Sequence, residues 1–190
     1  MPRPTPLLIA GDSLVEGVGA AGKRGWAQMV AELVPDTTVI GIGGFTVRDA
    51  IDRLRVEPLD DYKSLCLSLG LNDSRYRADL GKYEVPIEQF EMDLNELFAM
   101  LPTGASDRAI LSLIPVDEAR SMPLKEDKKY INRDIEQYDA IIRRVAPEYG
   151  VDLILVPDLR GDPADYADGV HPSDSGHAKI FAAVKHWLGI

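Results

Sequence analysis

The chain has 190 residues, 45% hydrophobic and 27% charged, and a formal net charge of −10. That is the composition of one globular domain spanning residues 1–190; it excludes a disordered segment and leaves no room for two full-sized domains. The acidic balance argues against nucleic acid and anionic membranes as partners.

Short apolar runs alternate with amphipathic stretches from one end to the other. The first run, residues 6–10, predicts a strand and leads directly into Gly11-Asp12-Ser13-Leu14. A helical pattern covers 26–33. A second strand is predicted at 37–42, followed by Gly41-Ile42-Gly43-Gly44-Phe45-Thr46 and a helix over 47–54. A third strand, 64–69, runs into Gly70-Leu71-Asn72-Asp73, and a loop follows over 74–84. Residues 87–101 carry Ile87, Phe90, Leu94 and Leu97 at the three-to-four spacing of a helix. Then come a strand at 109–114, a loop at 117–129, a helix at 130–149, a strand at 151–156 and a last helix at 178–188. Five Val-, Ile- and Leu-rich strands alternating with helices predict an α/β fold. The expected form is a three-layer α/β/α sandwich around a mainly parallel five-stranded sheet with flavodoxin-like strand order. Ligands of such sheets bind at the carboxyl ends of the strands, where both long loops start.

Ser13 follows the first strand, where a helix dipole and backbone N–H groups can stabilise an oxyanion; on its own the tetrapeptide fits a capped turn equally well. A nucleophilic serine needs a base. Of the three histidines, His186 sits late in the last helix, where solvent is expected, and His177 reads as a capping or surface residue. His171 lies in Asp168-Gly169-Val170-His171-Pro172, with Asp168 close enough to fix its tautomer. The glycines after the second strand and Asn72 after the third offer donors for the oxyanion. Arg75 and Tyr76, in the loop after the third strand, are candidate substrate contacts. Cys66, alone in an apolar run, reads as a core residue; neither a metal nor a cofactor is expected. Gly17-Val18-Gly19-Ala20-Ala21-Gly22 matches a dinucleotide fingerprint by spacing. It starts several residues past the strand and lacks the later acidic residue, so it is expected to shape the loop beside Ser13.

Four blocks in order resemble the SGNH hydrolases, also called GDSL esterases/lipases: Gly11-Asp12-Ser13-Leu14, Gly44 before Phe45-Thr46, Gly70-Leu71-Asn72-Asp73, and Asp168 through Pro172. In many members an asparagine stands five residues before the second-block glycine; here that position is Val39. The resemblance implies a serine esterase acting on a small-molecule ester, without cofactor. Ser13, His171 and Asp168 would form the triad. The Ser13 and Gly44 N–H groups and the Asn72 amide would form the oxyanion hole. The modest apolar content of the first loop points to short acyl groups such as acetyl. A lysophospholipase or thioesterase, and a non-catalytic binding module on the same fold, are the alternatives. No run reaches the length of a membrane span and none opens the chain as a signal peptide, so the expected location is cytoplasmic.

Overall fold

A computed structural model describes residues 2–104, 107–124 and 127–190. In chain order the strands are β1 (Leu7–Gly11), β2 (Thr37–Gly41), β3 (Ser64–Ser68), β4 (Tyr76–Arg77), β5 (Lys82–Tyr83), β6 (Asp107–Leu111), β7 (Lys128–Lys129) and β8 (Asp152–Ile154). The α-helices are α1 (Ser13–Glu16), α2 (Trp26–Leu33), α3 (Val47–Leu54), α4 (Ile87–Met100), α5 (Glu118–Ser121), α6 (Asn132–Val145) and α7 (Asp174–Leu188).

Five strands form one parallel sheet in the order β2-β1-β3-β6-β8. Pleating sends alternate side chains to opposite faces. Leu8, Ala10, Leu65, Leu67 and Ile110 pack against α3, α4 and α6. Leu7, Ile9, Cys66, Ala109 and Leu111 pack against α1, α2 and α7. Because both faces are covered, β1 and β3 are buried along their whole length, which is why they read as unbroken apolar runs. Truncating Leu65 or Leu67, each fully buried, to alanine costs about 2–5 kcal/mol.

Local chemistry sets the helix starts. The Thr46 side chain accepts from the Asp49 N–H while Asp49 accepts from the Thr46 N–H, a capping box that opens α3. The Ser173 hydroxyl accepts from the Gly176 N–H and opens α7. This helix therefore begins at Asp174, four residues before the apolar pattern suggests. The helix expected from residue 130 begins at Asn132, which leaves Tyr130 outside it.

The two long loops are not irregular throughout. They supply a three-stranded antiparallel sheet, β5-β4-β7, of two residues per strand. Strands this short carry no readable alternation, so the sequence pattern does not reveal them. No helix among the described residues is long and apolar enough to cross a membrane.

Candidate active site

The order β2-β1-β3 makes the chain reverse its winding at β1, and the turns after these three strands converge at the carboxyl edge, where α/β sheets place ligand sites. Ser13 comes from the β1 turn, Gly44 from the β2 turn, Asn72 from the β3 turn. The loop before α7 brings Asp168 and His171 to the same edge. Together they line a cleft of about 500 Å³.

The Ser13 Oγ lies 3.0 Å from His171 Nε2, and His171 Nδ1 lies 2.7 Å from Asp168 Oδ2. The Asp168 carboxylate fixes the proton on Nδ1, so Nε2 is left to accept from the serine hydroxyl. Asp168 Oδ1 accepts the N–H groups of Val170 and His171 at 3.0 and 2.8 Å, which shapes the loop around its own side chain. Burial would raise the Asp168 pKa. The His171 ring and these backbone donors outweigh it and hold the carboxylate at about 2.

Gly19 has φ +96°, and a β-carbon there would stand 2.1 Å from the Pro172 carbonyl oxygen. The glycine-rich loop is thus seated directly against the histidine loop. Gly44 is the third residue of a turn closed by the Phe45 N–H on the Ile42 carbonyl; its φ of +87° is what such a turn requires. Glu16 secures this turn from behind, accepting the Gly43 N–H at 2.8 Å and pairing with Lys23. Neither the Ser13 nor the Gly44 N–H has a protein acceptor among the described residues, so both are available to a ligand.

Asn72 is buried. Its amide NH₂ donates to the Phe45 carbonyl (3.0 Å) and Asp12 Oδ2 (3.2 Å), and its Oδ1 accepts from the Tyr130 hydroxyl (2.9 Å) and Arg75 (3.3 Å). Burial pushes the Asp12 carboxyl up to about 6, against the Leu14 N–H that favours its ionised form. Asp73, next to Asn72 in the chain, is pushed by burial up to about 7 while accepting the Val47 N–H on both oxygens.

Arg75 reaches the cleft, but its guanidinium is tied to Glu84, Asn72 and Tyr130. Tyr76, in β4, stacks edge-on against Tyr83 at 5.4 Å and is not among the cleft-lining residues. Leu124, Lys128 and Tyr130 also line the cleft; Leu124 lies in the loop after the fourth predicted strand, expected to help select the substrate, whereas nothing in the local sequence marks Lys128 and Tyr130, which arrive on and just after the short β7 strand. His177 is neither a cap nor a surface residue. It is fully buried, its Nδ1 accepting the Trp26 N–H at 3.3 Å and its Nε2 donating to the Val18 carbonyl at 3.0 Å. Burial lowers its pKa and keeps the ring neutral. The spacing of His177 from Ile180 and Val184 places all three on one helix face, which is the signal for this burial. Among the described residues no group of three or more His, Cys, Asp or Glu side chains is placed to hold a metal ion.

The GDSL-like lipase/acylhydrolase family model matches residues 9–179, and the chain belongs to that family. It is an esterase or acylhydrolase with an SGNH-type fold. Among solved structures it is similar to an acetylxylan esterase, Axe2, from Geobacillus stearothermophilus, at 20% identity and TM-score 0.73 over 100% of this chain and 97% of that one. Catalytic mutants of that esterase replace a serine, an aspartate and a histidine by alanine, the last two three positions apart. A lipase/acylhydrolase from Enterococcus faecalis aligns at 19% identity and TM-score 0.70, over 96% of this chain and 95% of that one. The α/β hydrolase LAE5, from the metagenome of Lake Arreo, aligns at 25% identity and TM-score 0.72, over 96% and 94%. No curated protein sequence matched the chain.

Proposed function

We propose that the protein is a serine carboxylesterase that hydrolyses esters of short, acetyl-sized acyl groups through an acyl-enzyme on Ser13. The observation that carries this reading is the unbroken hydrogen-bonded chain from Ser13 Oγ through His171 to Asp168 at the edge of the cleft. The Ser13 oxygen attacks the ester carbonyl carbon as His171 Nε2 takes its proton. The carbonyl oxygen becomes an oxyanion facing the Ser13 and Gly44 N–H groups and the Asn72 amide. To bond it, the Asn72 NH₂ shares a hydrogen now held by Phe45 or Asp12. Collapse expels the alcohol, which leaves with the proton from His171. Water, deprotonated by His171, then attacks the acyl-Ser13 ester; the tetrahedral adduct collapses to release the acid and return the proton to Ser13. Asp168 orients the imidazole and stabilises its protonated form throughout.

Support for a short acyl group comes from the cleft walls. Val18 and Leu124 are the aliphatic side chains lining them; the other lining residues are glycines or carry a polar or charged group. A long acyl chain needs a continuous apolar channel to offset its removal from water, at roughly 0.8 kcal/mol for each buried CH₂. The acetylxylan esterase neighbour is consistent with an acetyl group, carried here on a small molecule.

The test is hydrolysis of p-nitrophenyl esters from acetyl to palmitoyl, with Ser13→Ala as control. Expected are turnover highest at acetyl, a steep decline with chain length, and no turnover in the variant. A preference for palmitoyl overturns the acyl-length part; a fully active Ser13→Ala overturns the nucleophile.

A further inference from the structure

Asn72 presents a problem of orientation. The two ends of a primary amide have nearly the same size and shape, so packing alone does not decide which one faces Ser13. The wrong choice puts a carbonyl oxygen where the oxyanion forms, replacing attraction by repulsion. The decision is made by hydrogen bonds, and those on the Oδ1 side come from outside the four signature blocks.

Tyr130 is buried, and its hydroxyl lies 2.9 Å from Asn72 Oδ1. The same hydroxyl is approached by Arg75 Nη1 at 3.4 Å, and that nitrogen also reaches Asn72 Oδ1 at 3.3 Å. Arg75 cannot accept, so the Tyr130 oxygen accepts from it and its proton points to Asn72. Glu84 holds the guanidinium from the far side at 2.7 and 3.2 Å. The sequence of bonds is directional: Glu84 accepts from Arg75, Arg75 donates to Tyr130, and Tyr130 donates to Asn72. A flipped amide would point its NH₂ at two donors and its oxygen at two acceptors, Asp12 and the Phe45 carbonyl, and buried polar groups left without partners in this way are costly. Burial also pushes the Tyr130 pKa up to about 12, so the hydroxyl keeps its proton at any working pH.

We propose that Tyr130 is a positioning residue of the oxyanion hole, its hydroxyl locking the Asn72 amide with the NH₂ end turned toward Asp12 and Phe45, the neighbours in the chain of Ser13 and Gly44. The proposal rests on Asn72 being an oxyanion donor. The lock is contributed by the segment after β7, 58 residues further along the chain, and not by the turn that carries Asn72.

The test is a double-mutant cycle on p-nitrophenyl acetate with Tyr130→Phe, Asn72→Ala and the pair, alongside thermal denaturation of each. Tyr130→Phe keeps the buried ring and removes one oxygen. Its expected effect is a fall in kcat on the order of tenfold, the worth of one hydrogen bond, with KM changed less than about twofold. Asn72→Ala should lose on the order of 10²–10³ in kcat. In the Asn72→Ala background Tyr130→Phe should cost nothing further, because the group it positions is gone. A tenfold loss in both backgrounds, or a lowered melting temperature with full kcat, makes Tyr130 merely structural and overturns the proposal. So does a kcat within twofold of wild type when Asn72→Ala is severe; the oxyanion reading then survives. If Asn72→Ala itself costs less than about threefold, the donor assignment falls and the proposal with it.

Discussion

The two walls of the cleft are built by different means. One carries Ser13, Gly44 and Asn72 on turns that leave three adjacent parallel strands, and their backbone is set by a sheet buried on both faces. The other carries Arg75, Lys128 and Tyr130 on or beside strands of two residues, tied together by ion pairs among Arg75, Arg77, Asp79 and Glu84. The first wall is rigid because the core is rigid. The second keeps its shape through charge pairs that are partly exposed and individually worth little, so its fold tolerates change in the outer pairs such as Arg77–Asp79. Chemistry belongs on the first, and discrimination among substrates belongs largely on the second.

Substitutions on the first wall, and in the histidine loop that meets Ser13 there, should be the most damaging to rate. His171→Ala is expected to lose on the order of 10⁴ or more in kcat without loss of folded structure, read by ester hydrolysis and circular dichroism. Activity of that variant near the wild-type level, with a dead His177→Ala, would reverse the assignment of the two histidines. His177→Ala should act on stability. It strands the Trp26 N–H and the Val18 carbonyl and opens a cavity, a loss of about 3 kcal/mol, or a melting temperature lower by roughly 10 °C, with the chemical step of the folded fraction intact.

On the second wall, Glu84→Gln weakens the hold on Arg75 and Arg77. It should change KM and the order of preference among acyl esters by a few-fold, measured as kcat/KM across the series, while Ser13 still reacts with a fluorophosphonate. An unchanged preference would show that the small sheet does not select substrates.

The last expected effect is on the pH dependence of stability. Asp73 has a folded-state pKa raised from 3.8 to about 7 by burial. Its contribution is therefore fully present below the unfolded value and is lost as pH rises through about 7. Asp12 acts in the same direction, and the lowered pKa of His177 acts in the opposite one, so the wild-type curve mixes the three. Comparison with Asp73→Asn isolates the Asp73 carboxyl: the difference in melting temperature, wild type minus variant, should shrink from pH 5 to pH 8. A constant difference would mean that Asp73 does not take up a proton over that range.

The division between the walls also explains what the sequence reveals. The parallel sheet is legible because strands buried on both faces must be continuously apolar, and Ser13, Asp168 and His171 are legible because each lies in a short motif at the end of such a strand or just before the last helix. Asn72 belongs to a recognisable block, but its partners do not. The Tyr130–Asn72 bond joins residues 58 positions apart, and Tyr130 sits where the apolar spacing continues into α6, so it looks like the first turn of that helix. His177 misleads for a related reason: polar neighbours at Ser173, Asp174 and Ser175 suggest a solvated helix start, while Gly25 leaves room for the imidazole in the core. A β-carbon at Gly25 would stand 2.9 Å from the ring, so the information is in the fit between two distant positions.

The bond from Tyr130 to Asn72 has a consequence for how relatives of this protein can diversify. A loop that only lined the cleft could be exchanged freely, and each exchange would bring a new substrate at the old rate. On the proposed mechanism, the wall that meets the substrate is fastened through Tyr130 to Asn72, a donor to the oxyanion. Altering residues 74–84 or 127–130 to admit a different ester therefore disturbs turnover as well, unless the Glu84–Arg75–Tyr130 relay is kept or replaced. Variation that preserves those three residues has access to new substrates in single steps; variation that breaks them has to recover speed afterwards.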